Sequence, residues 1–357
     1  MRYVLFTTLD EKISLFKHRG QVICYGSLLL ALLAAPKVLG VFYLSELTHV
    51  LIFAIAGVGL MLLTGYTGLV SLGHAGFLGV GAYANAFLLA KGVPFPIAFT
   101  SAGLLAAAVG FVLAFPVLRL TGIYLVMATY AFSLILTEMF NVWVPVTGGL
   151  NGTKVIEGTI FGYSITRGIP LYYLALGVLV LVVLGALNLL RSDTGRVFAA
   201  IRDSQIAAQS LGVNLTRYKT AAFGLSAGAT GLAGALLGHR LGFISPEAFS
   251  FVTSLELLLI VVVGGLGSIH GAIFGAIFIG LLPQGIALLR DKLPEYIANQ
   301  PSLDSGLFGL VLMLVILFEP AGIYGVWVRI KQYFGEFPLY PRAASRRQKR
   351  YMRSERA

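Results

Sequence analysis

Residues 45–64 read SELTHVLIFAIAGVGLMLLT, and residues 65–75 continue as GYTGLVSLGHA. At 1.5 Å per residue, twenty such residues reach across a hydrocarbon core of about 30 Å, and nothing in the run stops a helix until the glycine-rich stretch that follows. Comparable apolar runs recur near 21–40, 74–90, 95–118, 122–144, 170–190, 219–241, 252–266, 270–290 and 305–327. The 357 residues are 57% hydrophobic and 11% charged, less than half the roughly 25% charge of a soluble domain. No polar stretch is long enough to be a soluble domain of its own. The expected fold is all-α: a polytopic membrane helix bundle of about ten spans, some of them discontinuous. The runs 74–90 and 252–266 are short and interrupted by glycine, and read as half-helices whose backbone depends on neighbours.

An even number of spans puts both termini on one side, and the basic residues say which. Nineteen of the 26 Lys and Arg fall on the side shared by the termini, which the positive-inside bias makes cytoplasmic. The chain then divides into a cytoplasmic N-terminal segment (1–20), a membrane domain (21–328) and a basic cytoplasmic tail (329–357). The first apolar run is read as an uncleaved span rather than a signal peptide. Two connections are long: 145–169 outside, turn-rich through Thr147-Gly148-Gly149-Leu150-Asn151-Gly152, and 191–218 inside. The tail from Arg342 to Arg356 reads as a topology determinant and a contact for anionic membrane lipids. No nucleic-acid motif accompanies it, so the net charge of +11 does not point to nucleic acid.

The single cysteine, Cys24, reads as a buried inert thiol. Tyr43, Trp143, Tyr172, Tyr173 and Trp327 fall near span ends, where amphipathic rings favour the headgroup layer. No nucleophile elbow, HExxH or phosphate loop occurs. Neither a hydrolase nor an ATP site can therefore be argued within the chain, which reads as not an enzyme and without a metal or cofactor of its own.

Within 191–218, Ser192 and Asp193 open a helical stretch without Pro or Gly between Arg196 and Gly212, with Asp203 or Ser204 able to cap a second turn and Gly212 a natural stop. Val197, Ile201, Ala208 and Leu211 can form an apolar stripe beside polar Arg196, Arg202, Asp203, Gln205 and Gln209. Alone, this is an amphipathic helix for a membrane surface. However, Ala207-Ala208-Gln209-Ser210-Leu211-Gly212 resembles the core of the coupling helix with which permeases of bacterial ABC importers engage their ATPases. With Gly65 to Ala75, Arg119-Leu120-Thr121-Gly122-Ile123-Tyr124, Thr147 to Gly152, and Gly264-Gly265-Leu266-Gly267-Ser268-Ile269-His270-Gly271, the chain resembles the branched-chain amino-acid (LIV-type) ABC permease family over about 45–325. Within it the chain looks like the longer of two paired permeases.

The resemblance implies a second permease subunit, two ATPase subunits that bind ATP and Mg, a periplasmic substrate-binding protein, and the bacterial inner membrane. It assigns ATPase coupling to Arg196, Ile201, Arg202, Asp203, Ala207, Ala208, Leu211 and Gly212. Gln205 and Gln209 stand where the family has acidic residues, Glu319 where a basic residue precedes proline, and Asn85 where a small or hydroxyl residue is expected. Candidates for the translocation pathway are Ser71, His74, Asn85, Thr129, Glu138, Asn141 and Glu256, because polar groups at membrane depth need a partner or a water-lined path. For Ser71 and His74 the residues also allow bracing of the glycine break. For Glu138 and Glu256 helix packing stays open, and His270 reads as a brace for its glycine turn. Two other functions remain open: a permease of the same family for urea or short amides, and a secondary carrier using Glu138 or Glu256 as its ion-coupling carboxylate.

Overall fold

Proline 36 shows how the helices are tied together. Helix α1 (Arg19–Val38) contains Pro36, whose missing N–H leaves the carbonyl four residues earlier, on Leu32, without its helical donor. The Tyr172 hydroxyl donates to that carbonyl at 2.7 Å, and the adjacent Tyr173 hydroxyl donates to Leu33 at 3.0 Å. Tyr172 is fully buried. It is a strut between helices and not the headgroup anchor expected from its place near a span end.

The computed structural model describes residues 19–336 except 118–119, 121, 161–162, 165–167, 291–302 and 320. Residues 1–18 of the N-terminal segment, the tail beyond 336, and Arg119 and Thr121 of the quoted motif lie outside the described residues. Helix α2 (Val41–Leu60) runs on into one π turn, Met61–Gly65. After a non-helical passage follow α3 (His74–Ala90), α4 (Phe95–Val117), α5 (Ile123–Val142) and α6 (Ile169–Arg191). Two short helices, α7 (Asp193–Asp203) and α8 (Gln205–Ser210), precede α9 (Leu215–Leu241). The order ends with α10 (Phe251–Gly264), α11 (Ile269–Arg290), α12 (Leu303–Phe318) and α13 (Gly322–Glu336).

Among the described residues seven helices are long and apolar enough to cross a membrane: α2 with its π turn, α4, α5, α6, α9, Pro246–Gly264 and α11. Shorter apolar segments at Ile23–Val38, His74–Ala90 and Gly306–Val315 fall on the three remaining expected runs. This is the all-α polytopic bundle read from the sequence. The last expected span, 305–327, divides instead: α12 stops at Phe318, Gly322 turns with φ +70°, and α13 crosses the expected domain boundary at 328. Glu319 accepts an ion-paired hydrogen bond from Arg329 across that break.

Helix α9 is the axis of the bundle, packed against α2, α3 and α4. Lipid tails are as apolar as leucine, so such packing depends on close contact more than on burial, and small residues permit it. A Cβ on Gly234 would overlap the backbone of Leu78, and one on Gly81 would overlap the backbone of Gly231. Cys24, by contrast, lies exposed on α1; the expected buried thiol is not found.

The connections gather on two faces. On one, Arg202 of α7 meets the turns at Gly65 and Gly267, and Gly265 lies against Ala321. On the other, Thr153–Lys154 pairs antiparallel with Phe243–Ile244, which ties the long 145–169 loop to the α9–α10 connection. The turn before it is held by Thr147, whose hydroxyl lies 2.6 Å from the Phe140 carbonyl and accepts from the Gly149 N–H. His270 does not brace its own glycine turn. It sits 2.7 Å from the Tyr25 hydroxyl and stacks on Tyr324, joining α1, α11 and α13.

Candidate functional site

The chain between the π turn and α3 must place backbone donors in a packed interior, and hydroxyl groups supply the acceptors. The Leu72 N–H donates to Thr129 Oγ1 at 3.0 Å, Gly73 N–H to Ser71 Oγ at 3.3 Å, and Ala75 N–H to Ser254 Oγ at 3.1 Å. His74 then joins two elements: Nδ1 is 3.1 Å from Ser71 Oγ and Nε2 is 2.7 Å from Ser226 Oγ on α9. Ser71, His74, Thr129, Ser226 and Ser254 are all fully buried. Three of the seven pathway candidates, Ser71, His74 and Thr129, thus form one brace at the start of α3. His74→Ala should cost about 1–3 kcal/mol, because it strips the Ser226 hydroxyl of its partner in a site that water does not reach. A lowered melting temperature of the purified protein, restored in part by His74→Ala combined with Ser226→Ala, checks this.

One turn from the end of α3, Asn85 Oδ1 accepts from His239 Nε2 at 2.8 Å, and both side chains are buried. Asn85 Nδ2 and His239 Nδ1 have no partner among the described residues. His239 was not singled out in the sequence; its signal there was a polar ring beside Arg240 at a span end.

Glu256 opens on a different feature, a cavity of about 170 Å³ bounded by α2, α9, α10, α11 and α12. Its polar wall is a linked set: Arg240 pairs with Glu46 at 3.2 Å, and Gln284 donates to the other Glu46 oxygen at 2.7 Å. The sequence reading missed Glu46, Arg240 and Gln284, although opposite charges near two span ends were visible. Glu138 is separate from all of these. It lies exposed on α5, 3.5 Å from Asn141, beside a shallow groove lined by Ile135, Met139, Val142 and Trp143. A carboxylate on an otherwise apolar helix face is costly against lipid, so this face needs a protein neighbour or water.

The 191–218 segment makes two helices joined at Ser204, whose backbone is extended. Ser204 caps the second, its hydroxyl accepting from the Ala207 N–H at 3.2 Å, and Gly212 ends it with φ +84°. Phe198, Ile201 and Ala208 are buried against the bundle. The stripe holds across the kink at Ser204 as far as Ala208, but Leu211 lies past the end of the second helix and points away, as does Ile206, each 83% exposed. Ala207 and Gly212 are exposed with them, as are Arg196 and Asp203; Arg196 is ion-paired to Asp193. Gln205, one of the departures from the acidic pattern, accepts from the buried Lys219 at 2.7 Å.

Arg202 connects this segment to the membrane core. Its Nη1 donates to the Gly65 carbonyl at 3.1 Å, capping the π turn of α2, and its side chain lies over Gly68 and Gly267. Both glycines have positive φ, at +73° and +86°, a conformation that other residues adopt only with strain. The pathway and coupling candidates therefore resolve into a buried brace, a polar cavity, an exposed α5 face and a two-helix platform.

Comparison with known proteins finds no matching solved structure. The high-affinity branched-chain amino acid transport system permease protein LivM of Salmonella typhimurium is 36% identical, over 77% of this chain and 68% of its own length. The LivM protein of Escherichia coli matches equally, at 36% over the same shares. The corresponding BraD permease protein of Pseudomonas aeruginosa is 31% identical over 46% of this chain and 52% of its own. The family described as branched-chain amino acid transport system, permease component, matches residues 42–316, which takes in every brace, cavity and platform residue named above, and the chain belongs to that family.

Proposed function

We propose that this chain and a second permease subunit enclose the pathway of an ATP-driven importer of branched-chain amino acids in a bacterial inner membrane. Two ATPase subunits, which bind the ATP and Mg, lie under α7 and α8, and a periplasmic binding protein delivers substrate to the opposite face. The observation that carries this reading is the platform: Ile206, Ala207 and Leu211 are left uncovered at the tip, while Arg202 behind them grips the carbonyl of Gly65. A partner that displaces the tip moves α7, and α7 pulls on the π turn that leads into α3. Alternating access needs such a two-state element, with contacts that differ between the states.

Charging the tip tests the platform directly. Ile206→Asp and Leu211→Asp each remove an exposed apolar contact, and neither opens a cavity within the chain. Each should leave the melting temperature of the isolated chain unchanged and reduce ATPase co-purification at least tenfold, the scale of a lost interface anchor of about 2 kcal/mol. Full ATPase recovery with the double variant would remove the platform from the interface. The exposed Glu138 and Asn141 face of α5 is assigned to the pathway or the second permease for the reason of charge given above. Glu138→Leu should then slow uptake while sparing ATPase binding, measured on the same preparations.

A further inference from the structure

The cavity between α2, α9, α10, α11 and α12 contains more acceptors than its own residues use. Arg240 is shared: Nε donates to the Ser45 carbonyl at 3.2 Å, Nη2 to Glu46 at 3.2 Å, and Nη1 lies 3.4 Å from His49 Nδ1. Both Glu46 oxygens are taken, one by Arg240 and one by Gln284. That balances one guanidinium against one carboxylate. Glu256 lines the same cavity with no hydrogen-bond or ion-pair partner among the described residues, and the Gln284 Oε1 atom is buried without a donor. An unpaired carboxylate on the cavity wall and a buried amide oxygen without a donor together offer a subsite to a cationic donor.

The rest of the wall restricts what that donor can be. Phe53, Ile279 and Phe308 are apolar, and Arg240 has five N–H groups, not all of them used by its three partners. One cationic subsite, one anionic subsite and an apolar remainder match an α-amino acid with an aliphatic side chain. The cavity, at about 170 Å³, suits a single small zwitterion rather than a peptide. A bare divalent ion is a poor alternative, since it seeks about six oxygen ligands and this wall offers only the free Glu256 carboxylate and one amide oxygen. Glu46, Arg240 and Glu256 all lie within about two turns of the helix ends on the face opposite α7.

We propose that this cavity is a binding site for the amino acid itself, held within this one chain, with Glu256 and Gln284 receiving the ammonium, Arg240 the carboxylate, and Phe53, Ile279 and Phe308 the branched side chain. The site rests on the proposed function, because it takes that importer's substrate class. It acts as a vestibule, receiving the zwitterion on the side from which substrate is delivered. Desolvating both charges there requires both counter-charges, so the site discriminates against analogues that lack either one.

The test is equilibrium binding of radiolabelled leucine to the purified permease–ATPase complex without binding protein, with leucinamide and 4-methylpentanoate as competitors. Saturable binding is expected, with each analogue at least tenfold weaker than leucine. Glu256→Gln should weaken leucine at least tenfold and narrow its advantage over 4-methylpentanoate, which has no ammonium to lose. Ile279→Phe, which fills the cavity without altering charge, should also abolish binding and keeps the test readable if Glu256→Gln does not assemble. Wild-type leucine affinity in both variants, or no saturable binding by a complex that imports leucine, would overturn the site and leave the importer standing. A complex that imports no amino acid would overturn the proposed function together with the site.

Discussion

Gly234→Ala should lower the thermal transition of the chain in detergent by the equivalent of about 3 kcal/mol, the upper end for overpacking. The added methyl meets the backbone of Leu78, and backbone cannot turn aside as a flexible side chain does. Helix α9 would have to withdraw from α3, and the His74–Ser226 and Asn85–His239 contacts between those two helices would be strained together. Gly285→Ala is the matched control. Its Cβ would meet nothing within 4 Å, so inside α11 the substitution should be neutral or stabilise by about 0.5–1 kcal/mol. Equal melting of the two variants would show that the α3–α9 approach is looser than described.

Arg202→Ala is expected to have the larger functional effect. The complex should still assemble, since the tip residues Ile206 and Leu211 are untouched, but uptake per ATP hydrolysed should fall ten- to a hundredfold. The lost bond is charge-assisted and made to the otherwise uncapped Gly65 carbonyl, a contribution of about 1.5–3 kcal/mol, which is also the only hydrogen bond between α7 and the π turn among the described residues. Arg202→Lys keeps the charge but not the planar fork that spans Gly65 and Gly267, so partial recovery is expected. Uptake and ATPase rates measured in the same vesicles separate coupling from assembly. An unchanged ratio in Arg202→Ala would mean that motion reaches the pathway by another route.

The spans and the two short helices of 191–218 were legible because they are written in local patterns: apolar length, capping at Ser204 and the stop at Gly212. The runs 74–90 and 252–266 fall on α3 and α10 nearly residue for residue. What a residue faces is not local, and there the reading was weaker. Tyr172 looks like a headgroup anchor until Pro36, 136 positions earlier, leaves a carbonyl for its hydroxyl to satisfy. Leu211 belongs to the stripe only if the helix continues past Ser210, and its end there turns Leu211 outward. Ser71, His74 and Thr129 are polar residues at membrane depth, but whether they meet water or one another depends on Ser226 and Ser254, which lie far along the chain. The polar cavity was half visible: Glu256 was singled out, while Glu46, Arg240 and Gln284 come from three other helices and share no spacing.

Reconstitution decides most directly whether this chain works as the permease of an ATP-driven importer. The chain is placed in proteoliposomes with and without its ATPase and second permease partners, and branched-chain amino-acid uptake is followed with ATP or with an imposed proton or sodium gradient. Uptake should require ATP and the complete assembly, and should not respond to either gradient. Gradient-driven uptake by the chain alone, in the absence of ATP, would contradict it and return Glu138 and Glu256 to the role of ion-coupling carboxylates.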